Sequence, residues 1–282
     1  MRALFVSNPI GPKEFRLVLT GLAGTLCALL VWTDGNHRAA PPSSPAQASQ
    51  TRDAQDFTLP LDGETRLAIE RALAQASAYA PVFERMREEF PGDYERQMNE
   101  FIRQARRNGV QSADFYSVET IRSLRHRRGL VAARAGSAKL MQVFDIQGQM
   151  LDALAKVSPA LCVNFLYGDT GATFYGFAAE NRQLIAGMAL AAIEAAADGA
   201  KHSFERATPS ARDFDLLDKA LIARGLSRDE VNALLDGEMP TTPPSDARLC
   251  EAGRLYIEAM RKLPEGPRLR IQALAISIMA RS

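Results

Sequence analysis

The chain has 282 residues, 46% of them hydrophobic and 24% charged, with a net charge of +1. That is enough apolar material for one large core or two small ones, and so neutral a balance argues against a dedicated nucleic-acid binder, which carries a large basic excess. Three cysteines and three histidines leave no multi-ligand zinc site at the usual spacings, and nothing in the sequence names a cofactor.

Residues 17–32, LVLTGLAGTLCALLVW, are uncharged and almost wholly apolar. As a helix they reach about 24 Å, slightly short of a hydrocarbon core of about 30 Å. Snorkelling of Arg16 and the interfacial preference of Trp32 can cover the difference. Arg2, Lys13 and Arg16 precede the run and only Arg38 follows closely, so the positive-inside rule places residues 1–16 in the cytoplasm. The expectation is a bacterial-type inner-membrane protein. It has a single transmembrane signal anchor over 17–34 and everything after it in the periplasm. A cleaved signal peptide releasing a periplasmic protein is the alternative. Ala46-Gln47-Ala48 fits the cleavage pattern but lies well beyond the apolar run. A third reading, a buried helix of a cytosolic protein, finds no adjacent core for the run to join. Cys27 lacks the small preceding residue of a lipid-attachment box and takes no role.

Residues 35–56 are rich in Ala, Pro, Ser and Gln. They cannot bury enough apolar surface to offset ordering entropy, and so read as a flexible linker spanning on the order of 25 Å. Phe57, Leu59 and Leu61 restart the apolar content, which sets the domain at 57–282.

From there the apolar period is 3.6, and abundant alanine with few β-branched residues favours helix over sheet. Ile69, Leu73, Phe83, Met86 and Phe90 form one stripe, broken or kinked at Pro81. Asp93 is positioned to cap a following helix that stops at Asn108-Gly109. Further helices are expected over about 117–135, about 140–157 and about 175–197. Ser158-Pro159 should end the second of these, and Gly168 to Gly171 reads as a loop rather than a phosphate-binding pattern. Thr208-Pro209 signals the next start, and Ser227 with Glu230 fits a capping box. Ser245 or Asp246, then Pro264, open the last two helices. The fold class is therefore all-α with about eight or nine helices, and residues 161–167, LCVNFLY, are the best strand candidate.

Four features bear on function. Cys162 and Cys250 are a candidate disulfide, as expected for a chain in an oxidising compartment. Neither carries a nucleophile signature. Arg122, Arg125, Arg127 and Arg128 form a basic stretch suited to an anionic partner, or else an ordinary solvated face. His126 and His202 read as surface residues, and Asp213, Asp215 and Asp218 as acids favoured at a helix start. No catalytic constellation emerges. The leading expectation is thus a non-enzymatic helical domain that is held to the membrane by its N-terminal helix and binds an envelope protein or anionic polymer, not nucleic acid. An envelope hydrolase using helix-borne carboxylates and a small-ligand or lipid-binding helical module are the rivals. A deep pocket with a buried acid would favour the hydrolase, and an apolar cavity between helices the ligand-binding module.

Overall fold

A computed structural model describes residues 58–168, 171–236 and 242–281. The expected membrane segment and linker, 17–56, lie outside the described residues. Among those described there are twelve α-helices and no strand: α1 (Thr58–Gln75), α2 (Ala80–Glu89), α3 (Pro91–Asn108), α4 (Ala113–Ala132), α5 (Ser137–Val157), α6 (Pro159–Leu166), α7 (Ala172–Glu180), α8 (Arg182–His202), α9 (Ala211–Ile222), α10 (Arg228–Asp236), α11 (Asp246–Lys262) and α12 (Glu265–Met279).

The all-helical class stands, but the count exceeds eight or nine because three apolar runs divide or change type. A 3-10 turn, Ser77–Tyr79, separates α1 from α2, with Pro81 seated in the first turn of α2, where its missing N–H is harmless. The run expected over 175–197 breaks at Asn181, whose Nδ2 donates to the Phe177 carbonyl (2.9 Å) and so caps the end of α7. The strand candidate at 161–167 is helix α6 and its exit. A short apolar run reads alike for a strand or a helix buried on several sides. Here the Ser158 hydroxyl accepts from the Leu161 N–H and Pro159 takes the first helical position, which selects helix.

Capping residues also differ from expectation. Phe90 occupies the N-cap of α3, and Asp93 lies inside the first turn, where its carboxylate is claimed by arginines. Helix α4 starts at Ala113 behind Ser112, not near Ser117. Helix α9 is capped by Ser210 rather than Thr208: the Asp213 carboxylate accepts from the Ser210 N–H (2.8 Å), closing a capping box. Gly109 takes φ 76° at the end of α3, and the Ser227–Glu230 box forms as the sequence signals.

Helix α8 is the hub, packed by α2, α4, α5 and α7. It is long and apolar enough to cross a membrane, yet Ile185, Ala189, Ile193 and Ala196 are buried among its neighbours. Its Gly199 sits where a β-carbon would lie 2.1 Å from the Val131 carbonyl oxygen, so glycine is what lets α4 and α8 approach. A second cluster gathers Phe214, Leu217, Leu221, Val231, Met260 and Ile271 from α9 to α12. Cys162 on α6 and Cys250 on α11 are joined, with Cα atoms 5.6 Å apart across 88 positions.

Candidate functional site

The two apolar clusters do not close completely against each other. Between them lies a cavity of about 280 Å³, near the lower end of the range for small-molecule sites. Helices α4 and α5 form one wall, with Leu124, Val143 and Phe144. Helices α11 and α12 form the other, with Tyr256, Leu274 and Ile278. Phe165 and Phe174 stack in parallel at 5.8 Å and join the lining from α6 and α7. The lining is overwhelmingly apolar, and none of its described residues is an acid.

Its charged groups come from one stripe of α4. Residues 122, 125 and 128 recur every three positions, so they share a helix face. All three line the cavity, while His126 and Arg127 point to solvent. The basic stretch read from the sequence is therefore split: Arg122, Arg125 and Arg128 border the cavity, and Arg127 does not.

These arginines differ in their partners. Arg128 donates to the Asp93 carboxylate (2.5 Å) and lies over the Phe90 ring, 4.6 Å from its centre. Arg127 only approaches Asp93, at 3.9 Å. Burial alone would push the Asp93 carboxyl up, but Arg96 and Arg128 outweigh it and hold the carboxyl below its ordinary range. Arg122 pairs with Glu119 (3.2 Å), which also accepts from the Tyr175 hydroxyl (3.0 Å).

Arg125 has no hydrogen bond or ion pair among the described residues, and its Nε is fully buried. Loss of hydration, then the neighbouring Arg122 charge, pushes its pKa down. Its guanidinium lies against the exit of α6, with Nη1 3.6 Å from where a β-carbon of Gly168 would stand. Gly168 adopts φ 82°, a backbone conformation that glycine tolerates and that brings bare backbone to the guanidinium.

Three further polar side chains line the cavity, and none stood out in the sequence: Gln147, Tyr167 and Tyr256. Desolvation pushes the Tyr256 phenol well up. Packed round by protein, it still keeps some accessible surface, and as a lining residue it turns that surface to the cavity. No helical period distinguishes these three from ordinary core positions, which is why sequence reasoning passed over them.

The other candidates resolve into structural roles. Asp213 is bound by Arg270 through two hydrogen bonds (2.9 and 2.6 Å), and that interaction holds its carboxyl at about 2. Asp218 pairs with Arg228, while Asp215 is exposed. His202 meets Asp198 (2.8 Å) at the exposed end of α8. Among the described residues, no group of three or more His, Cys, Asp or Glu is placed to hold a metal ion. No protein-family model, curated protein or solved structure matches this chain.

Proposed function

We propose that the helical body is a binding module for an apolar small molecule, seated between α4, α5, α11 and α12 and held on the outer side of a cell membrane by residues 17–34. The cavity carries this reading. It is largely apolar, set between helices and bordered by a few convergent polar groups, which is the usual anatomy of a ligand site. Two alternatives have less support. A carboxylate-based hydrolase needs an acid beside the substrate, whereas no described residue of the lining is an acid, and Asp93 and Glu119, which meet its arginines, are held in ion pairs. A purely protein-binding domain has as its candidate surface the more open depression beside Met141, Asp145 and Gly187, whose lining is less apolar than that of the cavity. The Cys162–Cys250 bridge supports the compartment, since such bonds persist where the environment is oxidising.

The test is equilibrium dialysis of an uncharged naphthylamine dye against the full chain in lipid nanodiscs, with empty discs as reference. Saturable uptake of one dye per chain is expected. Ala192→Phe, which extends a ring from α8 into the cavity, should remove that uptake without lowering the melting temperature by more than a few degrees. Uptake no greater than in empty discs would overturn the reading.

A further inference from the structure

Arg125 says more about the ligand than the apolar walls do, provided that the cavity is a ligand site as proposed above. An ionised group withdrawn from water is costly unless a counter-ion and hydrogen bonds compensate it. Along this wall that compensation is present for Arg122, through Glu119, and for Arg128, through Asp93. Among the described residues it is missing for Arg125, whose buried Nε has no acceptor there. Among the described residues the lining thus holds one surplus positive charge in mostly apolar surroundings. A guanidinium offers parallel N–H donors matched to the two oxygens of a carboxylate. A cavity of about 280 Å³ is at the small end for ligand sites, which favours a slender ligand such as a single alkyl chain.

We infer that the cavity takes a single-chain amphiphile ending in one carboxylate, with its head on the Arg125 guanidinium and its chain between α4, α5 and α12.

Decanoate, decanol and decyltrimethylammonium share a chain and differ in head-group charge, so they separate this inference from the broader one. Each is dialysed in labelled form against the full chain in nanodiscs, with empty discs as reference. Decanoate should bind one per chain, about ten- to a hundredfold tighter than decanol, the range expected of a charge-assisted hydrogen-bonded pair. Decyltrimethylammonium should bind weakest. Arg125→Met should remove the preference for decanoate over decanol while leaving decanol binding in place. Arg125→Lys, which keeps the charge but loses the fork, should retain only part of it. The wild-type preference alone decides the matter even if a variant does not fold. Equal binding of decanoate and decanol, or an Arg125→Met protein that still prefers decanoate, would overturn the inference and leave the cavity reading intact. Failure of all three compounds and of the uncharged dye would overturn both.

Discussion

Helix α4 carries a buried acid and a half-buried arginine about three turns apart, and they are treated oppositely. Near its start Asp114, only 4% exposed, accepts from the Tyr79 hydroxyl (2.9 Å) and from two nitrogens of Arg182 (2.8 and 2.9 Å). Burial alone would raise that carboxyl, but Arg182 and Tyr79 together hold it below its ordinary range. Further along, Arg125 has a buried Nε and no partner among the described residues. Buried polar groups are normally satisfied, and the Asp114 cluster shows that this fold can arrange it. Arg125 is an exception that borders the cavity, and the Ser117 hydroxyl, buried on the same helix outside the lining, is a second one of a neutral kind. What sets the Arg125 stretch apart is that the unpaired group there is a charge.

The strongest way to disturb the cavity side alone is to untie its wall. The bridge between α6 and α11 fastens the helices that carry Phe165, Tyr167 and Tyr256. With 88 positions between the cysteines, the chain-entropy model gives a loss of roughly 4–5 kcal/mol for the Cys162→Ala, Cys250→Ala double variant. Chemical denaturation should show that loss. Dye uptake should fall with it, whereas exchange protection at the Tyr79–Asp114 contact should persist longest. Simultaneous loss of protection at both ends of α4 would show that the two regions are one cooperative unit.

Asp114→Asn addresses the opposite end. It breaks a salt bridge whose acid is buried but whose arginine is 45% exposed, so Arg182 can rehydrate. The expected cost is about 2–3 kcal/mol, below the 3–5 of a fully buried pair. Decanoate binding should be unchanged, because the lesion lies outside the cavity lining.

These two ends were unequally legible in the sequence. Periodicity and breakers located most helices, since a buried stripe must repeat every three or four residues. The short helix α6 was hidden because its run is apolar on more than one side, and only the Ser158 cap with Pro159 distinguishes it from a strand. The arginines of the site were visible as a charged stretch, and their spacing of three already implied a shared face. Their partners were not visible. Asp93 lies 35 positions before Arg128, and Asp114 lies 68 before Arg182. Which arginine lacks a carboxylate is decided by packing between distant segments. Tyr256 and Gln147 gave no signal because a cavity-lining position on a helix has the same spacing as a core position.

Acid should separate the second cluster from both ends of α4. Arg270 holds Asp213 at about 2 and Arg248 holds Glu230 at about 2. A carboxyl depressed in the folded state contributes its full stability above its unfolded pKa and loses it as pH falls toward the folded value. The window is therefore about pH 4.5 down to 2. After discounting for solvent screening, each pair should contribute on the order of 1–2 kcal/mol. Asp213→Asn should flatten the acid limb of a stability–pH curve by that amount and leave the curve near neutrality parallel to wild type. An unchanged acid limb would mean that Asp213 is not paired with Arg270 in solution.

The smallest effect carries the opposite sign and tests the contrast within α4 directly. Arg125→Met keeps a long unbranched side chain and removes a charge that no described residue compensates, so the ligand-free protein should be unchanged or more stable by on the order of 1 kcal/mol. The same substitution at a satisfied arginine should destabilise. Arg128→Met, which frees the 2%-exposed Asp93 of one of its partners, provides that control. Adding decanoate should raise the wild-type melting temperature more than that of Arg125→Met, whose rise should be no larger than decanol produces, since a ligand stabilises in proportion to its affinity for the folded state. A drop of 2 kcal/mol or more in the ligand-free Arg125→Met protein would mean that Arg125 has a native counter-ion, and the two ends of α4 would then be alike.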